Sequence, residues 1–231
     1  MSHAAIASTF DAWAERGEAD RLEQAHGDVV QQVLAELCIK PGERILDLGC
    51  GNGWATRLLA RSAPGAQAIG VDASPRMIAR AEELHSYTIR ARYELGTFEA
   101  LDFPAAHFDR AFSMEALYYS PDAGRALFEL HRVLKPGAPA DVVLDFYRGR
   151  PATERWAAAA GLPLDCRSED GWKAAFEAAG FAAVETRRLV DRRGPGDASA
   201  FAPDAWCASW SEHVAMHAHG SLWIRAMRGA G

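Results

Sequence analysis

The sequence contains no run of about eighteen apolar residues, so it offers no membrane helix, and its start, Met1-Ser2-His3-Ala4, lacks the cationic stretch of a secretory signal. Cysteine is scarce. Cys38, Cys50, Cys166 and Cys207 stand far apart without a CxxC pair, which leaves no thiolate zinc or iron–sulfur pattern and points to reduced thiols. An excess of cation is also missing: 25 Lys and Arg face 31 Asp and Glu, a formal charge of −6, which disfavours the broad basic face that nucleic acid requires. No internal repeat and no low-complexity tract occur, which argues against solenoids and propellers. The 231 residues, 49% of them hydrophobic, suffice for one sizeable core, so a soluble, cytoplasmic single domain with decorations is expected. Oligomeric state is not legible.

What is present is an alternation of strand and helix signals. Leu22, Ala25, Val29, Val33, Leu34 and Leu37 recur at steps of three and four, which predicts a helix over Ala19 to Cys38, stopped by Pro41-Gly42. Arg44 to Leu48 reads as a short buried strand, followed by a glycine cluster and a helix over Ala55 to Ala63. A second strand, Ala68 to Val71, leads to Ser74-Pro75, a helix cap and first helical position ahead of Met77, Ile78, Ala81 and Leu84. Strand signals continue at Ala91 to Leu95, Asp109 to Met114, Asp141 to Phe146, Phe181 to Leu189 and Leu222 to Arg228. Helices are expected at Asp122 to Leu134 and Trp172 to Ala179. Such an alternation predicts an α/β fold, a doubly wound, largely parallel sheet covered on both faces. Residues 1–38 would form an N-terminal helical lid and 39–147 a ligand-binding core. Residues 148–231 would supply substrate-side decorations and the last strands.

The stretch Ile45-Leu46-Asp47-Leu48-Gly49-Cys50-Gly51-Asn52-Gly53 places glycine at every second position where a buried strand turns into a helix. Without Cβ atoms, such a loop lets a ligand lie against its backbone, at the strand end where open α/β sheets bind ligands. Trp54 stands where a G-x-G-x-x-G dinucleotide fingerprint needs its third glycine, and no Gly-Lys-Ser/Thr phosphate loop occurs. Asp72 lies 23 residues beyond Gly49, at the end of the second strand, where its carboxylate can accept hydrogen bonds from both hydroxyls of a ribose. The ligand therefore reads as an adenosine without a pyrophosphate.

With these residues the chain resembles the class I S-adenosylmethionine-dependent methyltransferases, most closely the small-molecule, quinone-biosynthesis-like branch. The resemblance is carried by Ile45 to Gly53, Gly70 to Ser74, Gly96 to Phe103, Phe108-Asp109 and Arg132 to Gly137, and it spans roughly residues 20 to 147. It implies a seven-stranded sheet with one antiparallel strand near its end, and S-adenosyl-L-methionine as cofactor, with S-adenosyl-L-homocysteine as product. It also implies roles: Asp47 and the Gly49 backbone on the methionine ammonium, Gly51 along the loop, Asp72 on the ribose, Met77 packed on the adenine, Thr97 and Phe98 at the adenine edge. Glu99 would stand in where Thr97 replaces a more usual Asp, and Met114 completes the cofactor set.

Transfer from a sulfonium needs chiefly alignment and exclusion of water, and a hydroxyl or ammonium acceptor also needs a general base. The candidates are His26 and Glu115. Tyr118, Tyr119, Tyr147 and Trp13 are the expected substrate-pocket residues, whereas Trp156, Trp206 and Trp210 are read first as core, the last two sharing one helical face. His213, His217 and His219 include an i, i+4 pair without an acidic or cysteine partner, so no metal site is expected. A small molecule is the expected partner, with no nucleic acid and no membrane. Methylation of RNA or protein on the same fold is the alternative enzyme, and a non-catalytic nucleoside-binding module is the alternative outside enzymes. Ser113-Met114-Glu115-Ala116 lacks the Asn/Asp-Pro-Pro-Tyr/Phe motif used to grip a flipped base.

Overall fold

The computed structural model describes residues 2–229. Residue 1 and residues 230 and 231, the outer ends of the two expected decorations, lie outside the described residues. Seven strands, β1 (Arg44–Leu48), β2 (Gln67–Asp72), β3 (Ala91–Leu95), β4 (Arg110–Met114), β5 (Pro139–Leu144), β6 (Phe181–Leu189) and β7 (Ser221–Arg228), form one sheet in the order β3-β2-β1-β4-β5-β7-β6. Strands β1 to β5 are parallel, and β7 runs antiparallel to both β5 and β6. Helices α1 (His3–Glu15) and α2 (Ala19–Leu37) precede the sheet, while α3 (Trp54–Arg61), α4 (Pro75–Glu83) and α5 (Ala123–Val133) follow β1, β2 and β4. Helices α6 (Trp156–Ala160) and α7 (Glu169–Ala178) lie between β5 and β6, and α8 (Trp210–His219) between β6 and β7.

Local chemistry sets where the helices begin. The Ser74 hydroxyl accepts from Met77 N at 3.0 Å with Pro75 in the first turn of α4, and Asp122 accepts from Arg125 N at 2.9 Å to start α5. Ser168 accepts from Gly171 N at 3.1 Å, so α7 starts three residues before the expected Trp172. Trp206 precedes α8, which begins at Trp210 behind the Ser209 cap, so the two tryptophans do not share a helical face as expected. The fifth strand starts at Pro139 and ends at Leu144, shifted from the expected Asp141 to Phe146.

Both faces of the sheet are covered. On one, Val29, Val30, Val33 and Leu37 of α2 pack with Leu59 of α3 over Ile45 and Phe112. On the other, Leu127, Leu130 and Val133 of α5 join Trp172 and Phe176 of α7 over Leu46 and Val142. Central strands are accordingly buried along almost their whole length, as in parallel sheets covered on both faces. The strand order reverses between β1 and β4, and at such a switch point the helices diverge and leave a crevice beyond the carboxyl ends of the strands. Among the described residues no helix is long and apolar enough to cross a membrane.

One buried charge fastens the reversed strand. Asp141 of β5 is fully buried and accepts from Trp223 Nε1 at 3.0 Å and Arg225 Nε at 2.7 Å, both on β7, with Arg110 of β4 at 3.6 Å. Asp141→Ala strips the carboxylate from three donors on neighbouring strands and leaves the buried Arg110 with less compensation. We expect a loss of about 3 kcal/mol, read as a lower midpoint in urea at unchanged slope.

Candidate active site

The crevice is built first by the β1–α3 loop. Gly49 has φ +78°, and a Cβ there would come within 2.1 Å of the Ala116 Cβ and 3.1 Å of the Phe98 ring. The protein itself needs that glycine. Gly51 has φ +53°, yet a Cβ on it would meet nothing within 4 Å, so the space above it is free for a ligand. Asp72, at the end of β2, locks this loop: its Oδ2 accepts from Gly51 N at 2.9 Å and its Oδ1 from Ser74 N at 2.9 Å. A carboxylate offers about four acceptor positions, so capacity remains for two hydroxyls. Burial raises the Asp72 carboxyl above its ordinary value, and the three backbone donors around it work against that rise.

A cleft of about 670 Å³ runs from this loop over the ends of β1 and β4. Gly49, Gly51, Asp72 and Met77 line one part of it, with Thr97, Phe98 and Met114 nearby. Glu99 also lines the cleft, but its oxygens are taken by the Ser120 hydroxyl and by His3 Nε2 at 2.8 Å. Asp47 does not line it. Its carboxylate accepts from the Thr56 hydroxyl at 2.6 Å, bracing β1 against α3. Burial pushes Asp47 up to about 7, so the folded protein retains its proton where the unfolded chain has lost it, and the associated stability fades as pH rises through that range.

Aromatic residues line the other part: Phe10 and Trp13 from α1, Tyr118 and Tyr119 after β4, and Trp156 and Trp206 from the later segments. One expected pocket residue stands elsewhere. Tyr147 is fully buried away from the cleft, its hydroxyl donating to Gly220 O at 3.0 Å, while Trp156 and Trp206 pack with the core as expected and line the cleft as well. His213 and His217 bond the carbonyls of Pro195 and Asp191 at 2.9 and 2.8 Å, pinning the segment after β6. Among the described residues no cluster of three or more His, Cys, Asp or Glu is placed to hold a metal.

Both base candidates line the cleft, in different states. Glu115 sits at φ +53°, a strained position for a non-glycine residue, and its carboxylate accepts from Tyr118 Oη at 2.7 Å and from Asp145 N. Burial and the Asp145 charge push Glu115 well above its ordinary range, so it keeps its proton and is a poor base. His26 Nδ1 lies 3.6 Å from Asp145 Oδ2. Burial lowers its imidazole and Asp145 opposes this, which leaves a neutral ring able to take a proton. Asp145 was missed by the sequence reading. Its signal was a carboxylate just past the carboxyl end of a parallel strand, the position that Glu115 holds after β4.

The N-terminal helix closes over this arrangement. Asp11 Oδ1 accepts from Ser74 Oγ at 2.6 Å and Arg76 N at 3.0 Å, at the start of α4. Phe10 stands edge-on to Tyr119 with centroids 4.9 Å apart, and Trp13 edge-on to Trp206 at 5.7 Å.

Comparison with known proteins agrees with this geometry. The family described as "Methyltransferase domain" matches residues 45–137, which hold the glycine loop, Asp72 and Glu115. Over those residues the chain is similar to the S-adenosylmethionine-dependent methyltransferases, and its sheet has their Rossmann-like fold. The chain is 32% identical over 145 residues to the O-methyltransferase resE of Aspergillus sclerotiorum, covering 60% of this chain and 54% of that protein. It is 38% identical over 99 residues to the 2-methyl-6-phytyl-1,4-hydroquinone methyltransferase of Synechocystis, covering 43% and 31%. The chain thus spans about half or less of the length of these relatives. In structure it is similar to a putative methyltransferase of Haloferax volcanii solved in complex with the Trm112 methyltransferase activator, with TM-score 0.87, 28% identity, and 95% and 97% of the two chains covered. The open space above Gly51 and the spare acceptor positions of Asp72 fit the methionine and ribose parts of the cofactor.

Three substitutions separate the roles of the glycines and Asp72. Gly49→Ala collides with Ala116 and should lower thermal stability markedly, whereas Gly51→Val should leave a folded protein that binds S-adenosylhomocysteine poorly. Asp72→Ala should weaken that binding by about 1.5–3 kcal/mol, one to two orders of magnitude in Kd by calorimetry. Normal affinity in both binding variants would remove this loop from the ligand site.

Proposed function

We propose that the chain transfers a methyl group from S-adenosylmethionine to a small-molecule acceptor by in-line displacement. The observation that carries this reading is the continuity of one cleft, with the Gly51–Asp72 ledge at one end and an aromatic chamber at the other, under a single closing helix. The cofactor supplies a methyl on a sulfonium with a neutral thioether as leaving group, so the protein's work is alignment, exclusion of water and acceptance of a proton. Asp72 and the Gly51 backbone would hold the nucleoside and Met77 would pack on its base. Tyr118, Tyr119 and Trp13 would enclose the acceptor. The net charge of −6 and the carboxylates Glu18, Glu99 and Asp204 along the cleft weigh against a nucleic-acid acceptor. Labelled methyl transfer into a small-molecule extract, set against total RNA and protein, tests the class of acceptor. Failure of S-adenosylmethionine and S-adenosylhomocysteine to bind at millimolar concentration would end the reading. The lid makes a further demand: amide exchange over residues 8–27 should slow on S-adenosylhomocysteine binding, and deletion of residues 1–18 should lower turnover more than thermal stability.

We also infer a protein partner of the activator kind, on the likeness to the Haloferax protein. The observation that favours it is the outer edge of the sheet. Strand β3 pairs only with β2, and Leu84, Tyr87 and Leu95 beside it are exposed, Tyr87 fully and Leu95 by 61%. An open strand edge flanked by apolar side chains suits β-strand addition. Leu95→Arg should abolish co-purification with a co-expressed activator while S-adenosylhomocysteine affinity stays unchanged. Equal co-purification of variant and native chains would remove this surface.

A further inference from the structure

Seven aromatic rings close a circuit around the acceptor end of the cleft. Centroid distances run 5.1 Å from Phe10 to Trp13, 5.7 Å to Trp206, 5.7 Å to Trp156, 6.0 Å to Phe146, 5.2 Å to Tyr118, 4.5 Å to Tyr119, and 4.9 Å back to Phe10. The rings come from α1, from the segments after β4 and β5, and from the segment before α8, so the circuit exists only when all four are packed together. Six of the seven line the cleft directly. A chamber walled by ring faces and edges favours a flat apolar occupant or a cation.

The charges nearby choose between the two. A bound ammonium gains most from a carboxylate that holds no other donor, and each cleft carboxylate outside the nucleoside end already accepts at least one. Glu99 is bonded to Ser120 and His3, Glu18 to Arg16 at 2.8 Å, and Asp204 to the backbone of Trp206 and Cys207 at 2.9 and 2.8 Å. Glu115 is bound by Tyr118 and the Asp145 amide. The group left free to act is His26, which lines the cleft with Asp145 behind it. Asp145 keeps one oxygen, Oδ1, buried without a hydrogen bond, and Arg150 stands 3.7 Å from that oxygen. Burial alone would raise Asp145, but the Arg150 guanidinium and the Ser221 hydroxyl hold it below the usual carboxylate range, so it stays charged behind the imidazole.

Resting on the methyltransferase reading, we propose that the acceptor is a planar ring bearing a hydroxyl, held in this chamber and deprotonated by His26, with Asp145 as the positioning residue. The hydroxyl proton passes to the free nitrogen of His26. The oxygen lone pair forms the new O–CH3 bond, and the C–S electron pair stays on sulfur, which becomes a neutral thioether. A ring hydroxyl, with a pKa of about 10 as in tyrosine, is within reach of an imidazole base, whereas an alkyl hydroxyl is far more basic once ionised and a thiol needs little help.

The test is a panel of hydroxylated rings of graded acidity beside ring amines and thiols of the same shape, read as S-adenosylhomocysteine formed and as quenching of tryptophan fluorescence in the S-adenosylhomocysteine-loaded protein. We expect the ring hydroxyls to quench and to be methylated in preference to the others. His26→Gln should lower kcat by about 10²–10⁴-fold with KM and S-adenosylhomocysteine affinity little changed. The loss should shrink as the ring hydroxyl becomes more acidic. The charged groups facing His26 are Asp145 and Arg150 from the segment after β5, and Asp191 and Arg193 from the segment after β6. Asp145→Asn removes a charge that raises the imidazole, so the acid limb of the kcat profile should move to lower pH, a shift that a merely structural role would not produce. Preference for amines or thiols, full activity of His26→Gln on the least acidic rings, or an unmoved acid limb in Asp145→Asn would overturn the proposal. Loss of cofactor binding altogether would instead end the methyltransferase reading, whereas cofactor binding without quenching or methylation of any ring hydroxyl would sink this inference alone.

Discussion

The double acceptance made by Asp72 is the constraint on which the rest of the site depends. One buried carboxylate takes the Gly51 N–H from the loop after β1 and the Ser74 N–H from the loop after β2. Burying that charge is costly unless donors meet it, and the donors that do are backbone groups whose positions thereby become fixed. Ser74 then does three things: its N–H holds Asp72, its hydroxyl oxygen caps α4, and its hydroxyl proton goes to Asp11 of the closing helix. A single chain of hydrogen bonds joins the ligand ledge to the lid.

The parts of this structure that were legible in the sequence are those in which local chemistry and topology agree. Asp47 to Gly53, Asp72 and the Ser74-Pro75 cap each carry their own reason for being where they are, and the parallel strands around them are apolar on both faces, so βα units could be read without knowing what they pack against. Met77, Thr97 and Phe98 followed because their distance from those anchors along the chain is short. Asp47 illustrates the limit: the residue type and position suggest a ligand contact, but not that the Thr56 hydroxyl one turn into α3 donates to the carboxylate.

Legibility failed where position depends on segments far apart in sequence. Tyr147 and Trp206 are both aromatic and both follow strands, and periodicity gives no reason to send one inward and the other to the cleft. That choice is made by Gly220 accepting the Tyr147 hydroxyl, and by Trp13 and Trp156 flanking Trp206, contacts that span from 50 to almost 200 positions along the chain. The same holds for His26 and Asp145, which are separated by more than a hundred residues and meet only where α2 brings His26 within 3.6 Å of the residue just past β5.

The lid has an energetic character of its own. It is attached by the two hydrogen bonds at Asp11, by His3 to Glu99, by the exposed Glu15–Arg76 ion pair and by edge-on contacts of Phe10 and Trp13, with Ile6 the one buried residue of α1. Each such interaction is worth on the order of 1 kcal/mol net, so the closed form is favoured over the open one by only a few kcal/mol. For α1 acting as the proposed lid, a gap of that size would leave the open form as a minor but continuously replenished species, on the order of 0.1–10% of molecules. Entry to the cleft is then set by how often the protein opens unaided, and every ligand that gains from closure must repay that fraction in its apparent affinity.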